Sequence, residues 1–429
     1  MVEPLVLLRP EKILTGISNG GRALKGKEMD NVMTITGKSL YLRDGRISGI
    51  LANAEASGLV SGGVASIDCS GMIVIPGLID SHTHILYSGE RRDEYYMRLH
   101  GRTYSEILES GNGIYRTVRS TRESTPEEIA RQTAKRISRA LLNGTTTLEL
   151  KTGYGLDIEA ENRMIEAIRI LKNTCSVTLR GTYLGAHAIP AYTTEEIYVK
   201  EICSRVIPSL PSWIDYVDVF CDRGAFSVES TDRIFGAAAE AGKGLRLHAD
   251  ELQCIGCTGL ARKYSLKSAD HLILSGEKEL MNLAGSDTMA TLLPTTAYSL
   301  DRNHMPDASR LVRMNIPFAL ATDCSPNVPN TDLMESLYLA VTECGASVHE
   351  AFNAVTVNAA WSLDYQERKG QIVPGFDADI CVLDAGDLGD LAYLHGNRLV
   401  RDVISSGEVL VENFSPLPTI NSKSGPDME

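Results

Sequence analysis

The sequence predicts an α/β fold: a (β/α)8 TIM barrel with a small β-sandwich domain built from both termini. Three observations lead there. Eight apolar runs alternate with helix signals through the middle of the chain. Short strand-and-turn segments occupy both ends. Residue types able to bind a metal recur just after the apolar runs, where barrel active sites lie.

Residues 1–75 and 365–415 are assigned to the composite β domain. Ser39–Arg43 and Arg46–Ile50 flank Asp44-Gly45, a hairpin signal. A loop rich in Gly and Ser follows around Ser57 to Gly63. Strands return at Gly370–Val373, at Ala378–Leu383, and from Leu399-Val400 through Val409-Leu410. Residues 416–429 read as a polar tail, disordered from Asn421 onward.

The barrel is assigned to residues 76–364, with its first strand reaching back into the preceding segment. Strand candidates are Ile73–Ile79, Thr145–Leu150, Val177–Leu184, Tyr216–Phe220, Leu245–Leu247, Ala269–Ile273, Met289–Leu293 and Pro317–Ala321. Many are near-continuous apolar runs, as strands buried on both faces should be. Between them, Thr125-Pro126-Glu127-Glu128 combines an N-cap, a proline at the first helical position and a capping-box glutamate. Ile129, Ala130, Ala134, Ile137 and Leu141 repeat at helical spacing, and Asn143-Gly144 stops the helix. Asp157 opens another, carrying Met164, Ile165, Ile168 and Leu171.

Composition narrows the function. The 429 residues are 43% hydrophobic, enough for a large core. Net charge is −13 with no Lys/Arg block, so neither nucleic acid nor an anionic membrane is an expected partner. No 18-residue apolar stretch or signal-peptide pattern is present, and the nine cysteines are scattered, so a reducing cytoplasm is expected. Cys254-Ile255-Gly256-Cys257 has CxxC spacing but no second pair, and reads as two reduced thiols.

The chemistry sits at the strand ends. The first run leads into His82-Thr83-His84, and residues two apart on a strand point the same way. Later runs end in Glu149-Leu150-Lys151, Gly185-Ala186-His187, His248-Ala249-Asp250-Glu251, Asp270-His271 and Thr322-Asp323. Five of the nine histidines thus fall on one rim. A lone histidine at a strand end is usually structural; five together with carboxylates indicate a metal site. His82, His84, His248 and Asp323 would supply three imidazoles and a carboxylate, leaving an open position for water. His271 could hydrogen-bond the water or a developing oxyanion, Glu251 could shuttle a proton, and Asp323 could also orient the nucleophile. The fourth strand ends in Cys221-Asp222, with no lysine to bridge two metals, so one ion is expected.

Pro76-Gly77-Leu78-Ile79-Asp80-Ser81-His82-Thr83-His84, a strand-five histidine and a strand-eight aspartate together resemble the amidohydrolase superfamily. More specific blocks resemble its imidazolonepropionase family: Glu149–Leu156, Leu184–Pro190, Val217–Cys221, His248–Leu252, Ser268–Leu272 and Thr291–Pro294. The resemblance spans about residues 30 to 412. It implies hydrolytic ring opening of 4-imidazolone-5-propanoate to N-formimidoyl-L-glutamate in histidine degradation, with one Zn2+ or Fe2+/Fe3+ ion and a homodimer. It places substrate contacts on Arg91, Tyr104, Tyr154, His187, Glu251 and the Ser325 position. A propanoate suits a guanidinium fork, and the match selects Arg91 over the adjacent Arg92. The sequence departs at Ser325, where the family pattern carries asparagine: one hydroxyl stands where an amide and a carbonyl are expected.

Two other readings use the same residues. One is a different mononuclear amidohydrolase, such as a deaminase of a nucleobase or other heterocycle, which would need no carboxylate clamp. The other is a non-catalytic relative acting as a binding protein, against which the full ligand set argues.

Overall fold

The structure is a computed structural model and describes residues 2–102, 106–107, 111–300 and 302–417. Eight strands form one sheet in chain order: β1 Leu78–Asp80, β2 Thr145–Lys151, β3 Thr178–Ala186, β4 Tyr216–Cys221, β5 Gly244–Ala249, β6 Leu266–His271, β7 Met289–Leu292 and β8 Phe318–Leu320. Every neighbouring pair is parallel. With helices between the strands this is the predicted (β/α)8 barrel.

The seam between β1 and β8 closes just beyond the strand ends. Thr322 donates from its backbone N to Asp80 Oδ1 (3.0 Å) and from its hydroxyl to Asp80 Oδ2 (2.6 Å). Asp323 N donates to His82 O at 3.1 Å, and His84 N donates to Cys324 O at 3.0 Å. The bonds that shut the barrel therefore run through the residues expected to bind metal.

The helices begin where their caps predict. Thr125 accepts from Glu128 N at the head of Pro126–Leu142, and Asp157 accepts from Ala160 N at the head of Ile158–Thr174. Their apolar stripes, Ile129, Ile137 and Leu141 on one and Met164, Ile168 and Leu171 on the other, are buried in the barrel core.

Two further sheets come from both ends of the chain. One has four strands, in the order Arg46–Ala52, Lys38–Arg43, Leu5–Leu8 and Ala65–Asp68. The hairpin turn holds Asp44 at φ 52° and Gly45 at φ 76°, both left-handed as a tight hairpin requires. The other sheet has seven strands and includes Lys12–Gly16, Ile73–Pro76, Ile380–Leu383 and Val400–Ser405. Its two faces serve different cores. Val74, Ile380 and Val382 pack against the four-stranded sheet, while Ile73, Ile75, Cys381 and Leu383 join the barrel core.

That double burial explains one correction. The run Ile73–Ile79 is not a single barrel strand: Ile73–Pro76 lies in the seven-stranded sheet and only Leu78–Asp80 enters the barrel. A strand buried on both faces is apolar throughout, whichever sheet owns it. The crossover is at Gly77, whose N donates to Asp379 O at 2.8 Å. A Cβ there would stand 2.3 Å from Thr146 Oγ1, so glycine is required for close approach. Two other expectations fail. The segment expected to loop around Ser57 to Gly63 is largely an α-helix, Asn53–Ser61, whose Ala56 is buried. Gly370–Val373 forms no strand: Ile372 N donates to a side chain, Thr15 Oγ1, rather than into a ladder. The tail from Asn421 to Glu429 lies outside the described residues.

Candidate metal centre

Four donor groups meet at the mouth of the barrel. His82 Nε2 lies 3.3 Å from His84 Nε2, and His84 Nε2 lies 2.9 Å from His248 Nε2. Asp323 Oδ1 is 3.6 Å from His82 Nε2 and 3.5 Å from His84 Nε2. The histidine pair does not ride on the strand, since β1 ends at Asp80; the backbone bonds to Asp323 and Cys324 hold it instead.

Tautomers decide what these contacts mean. His82 Nδ1 is 2.7 Å from Asp270 Oδ2, and His248 Nδ1 is 3.1 Å from Asp218 Oδ1. Each Nδ1 donates to its carboxylate and so carries the proton, which leaves both Nε2 atoms presenting lone pairs inward. A cation among the three Nε2 atoms would take these lone pairs, with His84 joining through Nε2 when its proton is on Nδ1. Ligand atoms about 2.0–2.1 Å from a tetrahedral ion stand roughly 3.3 Å apart. These four separations match that spacing; His82, His84 and Asp323 form one donor group and His82, His248 and His271 another, and the donors present fit one divalent ion.

The charges beneath the ligands agree. Glu149, Lys151, Asp218, Arg246 and Asp270 are all fully buried inside the barrel. Lys151 Nζ lies 2.6 Å from Asp218 Oδ2 and 2.9 Å from Glu149 Oε2; Arg246 Nε lies 3.1 Å from Glu149 Oε1. Arg246 Nη2 approaches Asp270 Oδ2 at 4.0 Å and donates to Ser81 O at 2.8 Å. With Asp323 included, four carboxylates face two cations, a deficit of two positive charges that a divalent ion offsets.

Ionisation follows burial. Burial first, and neighbouring cationic groups second, hold His82, His84 and His271 well below the ordinary imidazole range. Burial also opposes charge on His248, but Asp218 outweighs it and raises the imidazole. Asp218 is lowered in turn, its burial overcome by His248 and Lys151. Burial raises Asp323 to about 6 against the hydroxyl of Thr296, which donates to Asp323 Oδ2 at 2.8 Å. That bond ties up one carboxylate oxygen and leaves Oδ1 toward the histidines.

Above the donors is a cavity of about 670 Å3. His271 and Glu251 face each other across it, His271 Nε2 to Glu251 Oε2 being 3.6 Å. Burial, then the charge of Asp323, raises Glu251 to about 8. Asp222, at the end of β4, fixes the Glu251 loop by accepting from the backbone N of Glu251, Leu252 and Gln253 at 2.8–2.9 Å. The backbone at the mouth is strained: Asp250, His271 and Asp323 hold φ of 54°, 73° and 51°, in the left-handed region.

Arg91, Tyr154, His187 and Ser325 also line the cavity, whereas Tyr104 lies outside the described residues. Arg91 is buried, its Nε 2.7 Å from Glu94 Oε2, and its Nη2 has no hydrogen-bond partner among the described residues. Glu94 is fixed by Gly113 N, which donates to Oε1 at 3.1 Å. His187 Nδ1 is 3.0 Å from Gly153 O, so Nδ1 carries the hydrogen and Nε2 is left as an acceptor. Burial pushes this imidazole down to about 3. Ser325 makes a local loop, its hydroxyl accepting from Val328 N at 3.3 Å, and Asn327 brings a carboxamide to the same wall.

Sequence reasoning assigned no role to Asp218, Arg246, Thr296, Arg98 or Asn327. The first two carried a signal, since a charged residue in the middle of a doubly buried strand must be paired. Thr296 lies past β7 in the helix Pro294–Leu300, where no charged residue marks the strand end. Arg98 lies in the last turn of the short helix Arg92–Leu99 and Asn327 on an irregular segment, and neither follows an apolar run that would mark the mouth. Cys254 and Cys257 belong to no cluster of metal donors among the described residues; Cys257 Sγ instead lies 3.7 Å from Asp250 Oδ1.

Comparison with known proteins agrees with this geometry. Residues 73–410 match the model of the Amidohydrolase family. The chain is 39% identical over 399 residues to an imidazolonepropionase of Picrophilus torridus, covering 93% of this chain and 99% of the relative. It is also 39% identical over 399 residues to an imidazolonepropionase of Thermoplasma acidophilum, covering 93% and 95%. Among solved structures, a triazine hydrolase from Arthrobacter aurescens superposes with a TM-score of 0.73 at 16% identity, covering 97% and 96%, a likeness of fold alone.

Proposed function

Because the chain belongs to the amidohydrolase family, and within it to the imidazolonepropionases, we propose that it opens the ring of 4-imidazolone-5-propanoate by hydrolysis. The ring amide C–N bond breaks, hydroxyl from water adds to the carbonyl carbon, hydrogen goes to nitrogen, and N-formimidoyl-L-glutamate results. One observation carries the reading: a three-imidazole, one-carboxylate donor set opens into a cavity that also holds a buried arginine whose Nη2 has no hydrogen-bond partner among the described residues.

His82, His84, His248 and Asp323 would hold the ion. A divalent ion there supplies Lewis acidity, acidifying water and polarising the ring carbonyl. The ion is zinc or iron, since imidazole and carboxylate suit both. Glu251, raised to about 8, takes the proton of the attacking water and returns it to the leaving nitrogen. His271, kept neutral by burial, hydrogen-bonds the oxygen that gains charge.

Arg91 binds the propanoate. Glu94 holds its Nε, so the remaining N–H groups point at the cavity already oriented. His187 offers Nε2 as acceptor to a ring N–H, and Tyr154 packs edge-on against it with centroids 5.3 Å apart. Tyr104 and Ser325 complete the contacts. A buried guanidinium favours a ring bearing a carboxylate over a neutral heterocycle, which would leave its unpaired N–H unsatisfied.

The expected setting is a homodimer in a reducing compartment. All nine cysteines are free, and among the described residues no helix is long and apolar enough to cross a membrane. The test is a turnover assay on imidazolone propanoate with elemental analysis of the same sample. Metal-loaded protein that leaves the compound intact overturns the assignment.

A further inference from the structure

The buried ring beneath the ligands contains one group that chemistry at the mouth does not require. Lys151 is the last residue of β2 and fully buried. Its ammonium lies between two carboxylates, 2.6 Å from Asp218 and 2.9 Å from Glu149. Asp218, His248 and Asp270 bring donor atoms within 4.8 Å of one another, close enough to share an ion. Asp270 Oδ1, though buried, has no hydrogen-bond partner among the described residues. A second cluster of metal-donor atoms thus lies directly under the first, sharing His248 with it.

We propose that Lys151 is a tethered cation: its ammonium sits between Glu149 and Asp218, supplies the charge that a second metal ion on the Asp218, His248 and Asp270 donors would otherwise bring, and so holds the centre to one ion. Without it, Arg246 is the one permanent cation among the described residues beside three fully buried carboxylates. Leaving a buried charge unpaired costs several kcal/mol, so a replacement cation would be drawn in.

The tether also protects the first site. An ammonium donates hydrogen bonds and leaves Asp218 Oδ1 free for His248 Nδ1. A metal ion on Asp218 would compete for that oxygen and release the imidazole from its tautomer. Lys151 is therefore a positioning residue acting through Asp218. The inference rests on an ion at the four mouth ligands but not on which ring is opened, so failure to turn over imidazolone propanoate leaves it standing.

The experiment strips the full-length protein of metal and returns Co2+ by equilibrium dialysis. Ions per chain are counted by elemental analysis, and the visible absorption band is recorded. Wild type takes one ion per chain. Lys151→Ala, which vacates both the space and the charge, takes two, with a displaced band. A single ion in folded Lys151→Ala overturns the proposal. If Lys151→Ala does not fold, Lys151→Gln decides, because it keeps the volume and one donor. It is expected to bind the first ion about tenfold more weakly or worse, with a displaced band; wild-type affinity and an unmoved band overturn the proposal.

Discussion

His82 Nδ1 and Asp270 Oδ2 lie 2.7 Å apart, and both side chains are fully buried. The aspartate touches no part of the cavity, yet it decides which nitrogen of His82 is free to bind a cation. Asp270→Asn removes the charge and keeps the shape. We expect ion affinity to fall about 10- to 100-fold, as for other partners of ligand histidines. Competition with a chromophoric chelator reads it, and an unchanged affinity would mean that the tautomer is set elsewhere.

Metal removal should cost stability as well as activity. Four carboxylates against two cations leave the emptied centre short of two positive charges. Free ion at a hundredfold excess over its dissociation constant stabilises a fold by about 2.7 kcal/mol. Chelation should therefore abolish turnover and lower the melting temperature by a few degrees, and added ion should restore both. A melting curve indifferent to chelator would show that the deficit is met by protonation instead.

Much of this centre was legible in the chain because barrel geometry converts position into place. A residue at the end of a buried strand or just past it faces the mouth, so His82, His248, His271 and Asp323 could be gathered without knowing any distance. The layer below was harder to read. Glu149, Lys151 and Asp270 were seen as rim residues, but which charge meets which depends on inter-strand register, and periodicity carries no register. Ile73–Ile79 was misassigned because double burial erases the alternation that separates one sheet from another. Asn53–Ser61 was missed because Gly58 and Ser57 signal a loop locally, whereas packing of Ala56 against the sheet favours the helix.

The Gly77 crossover offers a stability test independent of chemistry. Its missing Cβ would fall 2.3 Å from Thr146 Oγ1 and 2.6 Å from Thr146 Cγ2. Gly77→Ala should lose about 1–3 kcal/mol, the usual range for overpacking. Thr146→Ala should recover part of that loss in the double variant, read by denaturant unfolding. Additive losses would place the strain elsewhere.

Arg91 separates a carboxylate-bearing substrate from a neutral one. Its Nε is committed to Glu94, and Nη2 is unpartnered among the described residues. Arg91→Ala should raise KM for imidazolone propanoate tenfold or more with a smaller effect on kcat, because the clamp lies away from the scissile bond. Glu94→Gln should raise KM less, since the guanidinium remains but loses its anchor. Equal KM values in wild type and Arg91→Ala would remove the propanoate clamp and favour a neutral heterocycle.

The pH profile tests the proton carrier. Burial, then the nearby charge of Asp323, raises Glu251 to about 8, so its carboxyl is protonated below that pH and accepts a proton only above it. If Glu251 is the base, kcat/KM should rise about tenfold per pH unit on the acid side and level off above the midpoint. A bound cation favours the carboxylate, so the midpoint in loaded enzyme lies below 8 rather than above it. Glu251→Gln cannot take the proton; turnover should fall about 10²- to 10⁴-fold and the acid limb should vanish with it. A slow Glu251→Gln variant that keeps the same limb would assign the titration to another group, and the proton would then have to travel through His271 or Asp323.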